Sequence, residues 1–300
     1  MWQQQLQAIQ KADIKTLARC ISLVENGVAG HEALLQGLPV TTTPVIGITG
    51  PPGAGKSTLT DALIGLLVQQ QKKVAVLCVD PSSPFNLGAL LGDRIRMSEW
   101  YDNPNVFIRS LASRGALGGL HPRIIEISDL VKAAGFDYII IETVGVGQSE
   151  IEIAGLADVT VVVAVPEAGD EVQTMKAGLM EIADIFAVNK ADRPGADNFV
   201  KHLRMMLAPA FSHTERTIPV IKTIASQKEG IRELLDAVNT VSREKTVNDR
   251  HAWLLAERAY HLIASYRMKD IDKKQLKKDI EAAGKNFNLY RYIQSWLEPR

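Results

Sequence analysis

The chain has 300 residues, with 34 Lys plus Arg balanced by 34 Asp plus Glu, 46 % hydrophobic and 23 % charged. Such a length suits one large domain with appendages. The composition excludes a disordered chain, and zero formal net charge excludes whole-chain attraction to nucleic acid or to an anionic membrane surface.

Cys20 and Cys78 stand in apolar contexts without CxxC or Cys/His spacing, so neither a disulfide framework nor a thiolate metal site is indicated, and a cytoplasmic, reducing location is expected. The glutamine-rich start, Met1 to Gln10, does not read as a signal peptide. No segment approaches the ~20 apolar residues of a membrane-spanning helix, so a soluble protein is expected.

Residues 1–40 read as an N-terminal helical extension, because Ile14, Leu17, Ile21, Val24 and Val28 recur at helical spacing and Asn26-Gly27, Gly30 and Gly37-Leu38-Pro39 punctuate them. From residue 41 to 243 the pattern changes to short β-branched runs alternating with helical stretches. The runs are Val45–Thr49, Val74–Val79, Val106–Ile108, Tyr138–Thr143, Val159–Val165, Ile185–Val188 and Val220–Thr223. Continuous apolar strands require cover on both faces, which predicts an α/β domain with a doubly wound, mainly parallel sheet and ligands at the strands' carboxyl ends. Residues 244–300 read as a C-terminal helical arm. Leu255, Ala259, Leu262, Ile263 and Tyr266 form one stripe, a basic stretch runs from Lys269 to Lys278, and Phe287, Tyr290, Tyr292 and Trp296 close the chain. This arm either packs on its own domain or pairs two subunits.

Gly50-Pro51-Pro52-Gly53-Ala54-Gly55-Lys56-Ser57 follows the first strand and precedes a helix, the setting that G-x-x-x-x-G-K-S requires. Its glycines let backbone N–H groups, through Thr58, turn towards phosphate oxygens, and the helix start adds positive potential. Lys56 is expected to reach the β- and γ-phosphates and Ser57 to present a hydroxyl to Mg²⁺.

Asn189-Lys190-Ala191-Asp192 ends a later strand in the N-K-x-D pattern. The Asp192 carboxylate can accept both N–H donors of guanine's Watson–Crick edge, which adenine does not offer, while the Lys190 stem lies along the ring. Ala225-Ser226 stands where a backbone N–H can hold the guanine O6.

Asp80, Asp93 and Glu142 are candidate metal carboxylates, two of them at strand ends; each alone could instead be a surface acid or a helix cap. Gly145 is placed to sense the γ-phosphate through its N–H. Gln148 is the candidate to orient the attacking water, and Lys176 to approach the phosphates. Val146 occupies the position beside Gly145 where many small GTPases carry glutamine, so hydrolysis is expected to be slow until a partner completes the site.

Val79-Asp80-Pro81-Ser82-Ser83-Pro84, Gly92-Asp93 with Arg96-Met97, and above all Glu142-Thr143-Val144-Gly145-Val146-Gly147-Gln148-Ser149-Glu150 resemble the MeaB/ArgK family of GTPases. Ala168-Gly169-Asp170-Glu171 and Lys176 to Met180 resemble the family's additional switch. The resemblance implies a SIMIBI-type P-loop G domain whose C-terminal arm dimerises. It further implies a homodimer that binds GTP and GDP with Mg²⁺, and a partner, an adenosylcobalamin-dependent mutase of the methylmalonyl-CoA mutase type, that it protects and reloads. Lys56 is then the phosphate lysine; Ser57, Asp80, Asp93 and Glu142 surround Mg²⁺; Lys176 is a switch lysine; and Asn189, Lys190 and Asp192 select guanine. The chain departs from the family at Phe85-Asn86-Leu87-Gly88, where Thr-Gly-Gly is common, and at Arg94-Ile95, where Lys-Thr is usual.

Two other readings compete. A metal-insertion GTPase calls for a histidine tract or clustered Cys/His ligands, whereas the six histidines are scattered. A small-molecule P-loop kinase leaves Asn189 to Asp192 without a role.

Overall fold

Strand β1 (Val45–Thr49) is buried at all five positions, and so are β5 (Val159–Ala164) and β6 (Ile185–Val188) along their whole length. With β2 (Val74–Asp80), β3 (Val106–Ala112), β4 (Tyr138–Thr143) and β7 (Val220–Lys222) they form one seven-stranded sheet, in the order β3-β2-β4-β1-β5-β6-β7, with every pair parallel. The computed structural model describes residues 2–80, 97–113, 120–143, 152–166, 177–210, 217–245, 250–268, 270–284 and 287–297.

Helices cover both faces because alternate strand residues point to opposite sides. On one face Ile46, Ile48, Val76, Ile140, Val161 and Val163 pack on α4 (Lys56–Gln69) and α8 (Ile231–Lys245) through Leu59, Leu63, Ile64, Leu67, Leu234 and Val238. On the other face Val45, Leu77, Leu111, Ile139 and Ile141 meet α5 (Ile124–Lys132). They also meet the N-terminal helices α1 (Trp2–Gln10), α2 (Ile14–Glu25) and α3 (His31–Gln36). Beneath β5 and β6, Val162, Phe186 and Val188 form a third cluster with Phe199, Leu203 and Leu207 of α7 (Ala196–Ala210); α6 (Ala177–Ile182) precedes β6.

The expected apolar stripe of the extension is partly realised: Leu17, Ile21 and Val24 are buried, while Ile14 and Val28 remain exposed. Strand β3 runs four residues beyond the apolar run Val106–Ile108. Arg109 ends the periodicity in the sequence, but its guanidinium donates to Glu25 Oε2 at 2.9 Å and Ser22 Oγ at 3.1 Å on α2, so the strand continues to Ala112.

Residues 1–251 form one compact unit and residues 252–300 a second. The second holds most of α9 (Arg250–Arg267), with α10 (Lys273–Ala283) and α11 (Leu289–Leu297). Asp272 caps α10 by accepting from Lys274 N at 2.9 Å. Tyr292 ties α11 to α10 through a 2.7 Å bond to Asp279 Oδ2, and its ring lies 5.4 Å from Phe287 and 6.4 Å from Trp296. Among the described residues no helix is long and apolar enough to cross a membrane.

Candidate nucleotide site

The loop after β1 turns at the carboxyl edge of the sheet, where the chain's crossovers reverse direction: β1 has β4 on one side and β5 on the other. A crevice at such a point is the general ligand site of open α/β sheets. Two of its glycines are dictated by geometry. Gly50 has φ +136°, and a Cβ there would lie 2.2 Å from Val163 O; Gly55 has φ +88°, and its Cβ would lie 2.4 Å from Asn189 Nδ2. A larger residue at either position would push the loop off the sheet or off the neighbouring loop.

Gly55 is the N-cap of α4 and offers no side chain, so the first N–H groups of a 14-residue helix point outward from the loop. Lys56 is 7 % exposed and folds over that loop, donating to Gly50 O at 2.9 Å and Pro51 O at 3.1 Å. This holds an ammonium at the centre of the curl. A phosphate, with full negative charge, is a stronger acceptor for it than neutral carbonyls.

Ser57 and Glu142 come together across β1 and β4: Ser57 Oγ donates to Glu142 Oε1 at 2.5 Å, and both are buried. Thr60, one turn along α4, donates to Glu142 Oε2 at 2.8 Å and lies 3.0 Å from Lys56 O. Behind them Thr143 Oγ1 donates to Thr49 Oγ1 at 3.0 Å, cross-bracing β4 and β1. Thr49 and Thr60 had no place in the motif reading, and Thr143 entered it only as part of the 142–150 block, without a role of its own. A threonine three residues past the motif lysine-serine pair, on the same helical face, is the only sequence signal that pointed to Thr60.

The all-oxygen Ser57–Glu142 pair has the donor chemistry that Mg²⁺ prefers. Among the described residues no group of three or more His, Cys, Asp or Glu side chains stands ready to hold a metal. The pair fits an ion that takes further ligands from phosphates and water. The backbone of Asp80 ends β2, but its side chain lies outside the described residues, as do Asp93, Gly145, Gln148 and Lys176. The departures at 85–88 and 94–95 and the switch-like segment 168–176 fall there too. The chain re-enters at Met97, and Trp100 then anchors it on α4 by donating to Asp61 Oδ1 at 2.7 Å.

At the end of β6, Asn189 is 2 % exposed and joins three segments. Its Nδ2 donates to Ala54 O at 2.9 Å, and its Oδ1 accepts from Thr223 Oγ1 at 3.2 Å and Ala225 N at 3.1 Å. The two loops that the sequence separated by 135 positions are thus one construction. Lys190 adopts φ +54°, and Ala191 N donates to Thr223 O at 3.1 Å, a tight turn that leaves Asp192 exposed. Of the adjacent pair expected at O6, the Ala225 N–H donates to Asn189 Oδ1.

Among the described residues no group of three or more histidines, cysteines or carboxylates gathers to hold a metal. His31 and His121 are buried on the opposite side of the sheet, where His31 Nδ1 lies 2.9 Å from Val28 O and Nε2 lies 2.6 Å from Arg123 Nη1, and His121 Nδ1 accepts from Arg123 N at 3.1 Å.

Comparison with known proteins agrees with this geometry. The profile of the family described as methylmalonyl-CoA mutase-associated GTPase MeaB matches residues 17–279. The Escherichia coli GTPase ArgK is 38 % identical over 256 residues, 82 % of this chain and 77 % of that protein. A Geobacillus kaustophilus fused isobutyryl-CoA mutase is 36 % identical over 262 residues, 81 % of this chain but 24 % of that larger protein. Among solved structures, an LAO/AO transport system kinase superposes with a TM-score of 0.65 at 28 % identity, covering 99 % of this chain and 98 % of its own. With a G-x-x-x-x-G-K-S loop, an N-K-x-D turn packed against it and this extent of likeness, the chain belongs to the MeaB family of methylmalonyl-CoA mutase-associated GTPases.

Proposed function

We propose that this GTPase binds GTP and GDP with Mg²⁺ at the carboxyl edge of its sheet and uses the difference between them to protect and reload an adenosylcobalamin-dependent acyl-CoA mutase of the methylmalonyl-CoA mutase type. The observation that carries the partnership is the Geobacillus protein, in which a segment alike over 81 % of this chain is fused to an isobutyryl-CoA mutase. Fusion raises the effective concentration of two modules that must meet repeatedly.

In this reading the N–H groups of residues 53–58, at the start of α4, receive the β- and γ-phosphates, and Lys56 leaves its two loop carbonyls for them. Ser57 and Glu142, with Asp80 and Asp93, hold Mg²⁺, which neutralises charge developing on the bridging and γ-oxygens. Asp192 accepts from guanine, Lys190 covers the ring, and Ser226 N–H meets O6. Gly145 senses the γ-phosphate, Gln148 orients water and Lys176 closes over the phosphates. Hydrolysis is positioning and charge stabilisation, slow until the mutase completes the site. The working unit is a homodimer in the cytoplasm.

Calorimetry with GTP, GDP and ATP in magnesium buffer tests the nucleotide half: guanine nucleotides should release heat and ATP far less, and equal heats for ATP and GTP would sink it. Lys56→Ala should weaken GTP binding by about 10–100-fold, the worth of a hydrogen bond to a charged group. For the partner half, purified mutase should co-elute with the GTPase and accelerate phosphate release; no complex in either nucleotide state refutes the assignment.

A further inference from the structure

Glu142 is one methylene longer than an aspartate, and a longer carboxylate needs more restraint to hold one orientation. Ser57 and Thr60 supply that restraint from one face of α4, three residues apart, at 2.5 and 2.8 Å on its two separate oxygens. Thr60 is wholly buried, and its hydroxyl lies within hydrogen-bond distance of Glu142 Oε2 and Lys56 O.

A hydroxyl carries one proton. With a carboxylate oxygen at 2.8 Å and a backbone carbonyl at 3.0 Å, the carboxylate takes it, because a charge-assisted bond is about twice as strong as a neutral one. The Lys56 carbonyl, four residues back on the helix, remains the alternative acceptor whenever Glu142 swings away, so no buried hydroxyl is then stranded.

We infer that Thr60 is a positioning residue for Glu142: it fixes the second carboxylate oxygen so that the first keeps the Ser57 proton and leaves the Ser57 lone pairs directed at Mg²⁺. This rests on the Mg²⁺–guanine nucleotide reading of the site. Thr60 acts only through Glu142, and its effect is confined to the metal-dependent part of nucleotide binding.

The test is a Mg²⁺ titration of binding to GDP carrying a methylanthraniloyl fluorophore, on the full chain. Thr60→Val, which keeps the shape and removes the hydroxyl, should raise the Mg²⁺ concentration at half-saturation by about tenfold, the scale of lost support behind a metal ligand. Affinity in EDTA should stay the same, and Thr60→Ser should restore the midpoint. If Thr60→Val melts at too low a temperature, Thr60→Ala replaces it in the same titration. In a Glu142→Asp background, where the shortened carboxylate no longer reaches residue 60, Thr60→Val should add nothing; an additive effect there marks a merely structural role and overturns the inference. So does an unchanged midpoint in a folded Thr60→Val protein. Should the unaltered chain bind labelled GDP without any response to Mg²⁺, the site reading itself falls, and this inference with it.

Discussion

Asn189 shows how one buried side chain joins two loops of the site to its own. Its amide is spent on Ala54 O, Thr223 Oγ1 and Ala225 N, so it shapes the site without touching a base. In the function proposed above, base choice falls on the exposed Asp192. Asp192→Asn should lower GTP affinity by about 10–100-fold, since an amide accepts only one of guanine's donors and presents a donor to the other. Binding measured with GTP, ITP and XTP checks this: xanthine nucleotide should gain on GTP, and an unaltered GTP preference refutes the role of Asp192. Gly55→Ala tests the loop junction, because alanine at φ +88° is strained and its Cβ would meet Asn189 Nδ2 at 2.4 Å. Loss of about 1–2 kcal/mol is expected, read as a melting temperature lower by roughly 2–8 °C together with weaker nucleotide binding. The glycine and N-K-x-D spacings were legible in the chain because phosphate and guanine impose fixed chemistry. The partners of Asn189 were not, since they come from two other loops that only the sheet brings to it.

At the scale of elements, the N-terminal helices share a core with the sheet instead of lying apart from it: Ile9, Leu17, Ile21, Val24 and Leu34 pack with Leu111, Ile127 and Leu130. A polar layer threads this packing, including Arg109 with Glu25 and Arg123 with His31 and, at 3.5 Å, Glu126. Glu126 is buried, its Oε2 has no hydrogen-bond partner, and burial raises its pKa above the ordinary 4.5 more than Arg123 lowers it. The folded state therefore binds this proton more tightly than the unfolded chain does, and stability falls as pH rises from 4.5 through the folded value. Glu126→Gln removes that loss. It should raise the melting temperature at pH 8 by about 2–4 °C, the effect of ~1 kcal/mol in a domain of this size. The gain should vanish below pH 4.5; melting curves at pH 4 and pH 8 decide it, and an equal shift at both would show that ionisation is not the cause.

For the molecule as a whole, the 252–300 unit presents Leu255, Ile263, Tyr266, Leu289, Tyr290 and Ile293 exposed. An apolar surface of this kind marks an interface more often than an unpartnered face. If it pairs two subunits, light scattering should give twice the chain mass, and Leu255→Glu with Ile263→Glu should give the single-chain mass while leaving nucleotide binding intact. A dimer unchanged by the double substitution would place the contact elsewhere.

The sequence by itself determined the α/β class, the seven strand positions and the places of the G-x-x-x-x-G-K-S and N-K-x-D motifs at strand ends, because apolar periodicity and motif spacing are local and act over a few residues. Tertiary structure alone decided that β3 continues through Arg109, since the stabilising Glu25 lies 84 positions away on α2. It also decided that Thr60 stands behind Glu142 and that Ala225, not Ser226, is committed to Asn189. A buried charge or hydroxyl is tolerated only where a partner arrives, and that arrival is a property of the packed sheet, which no run of neighbouring residues encodes.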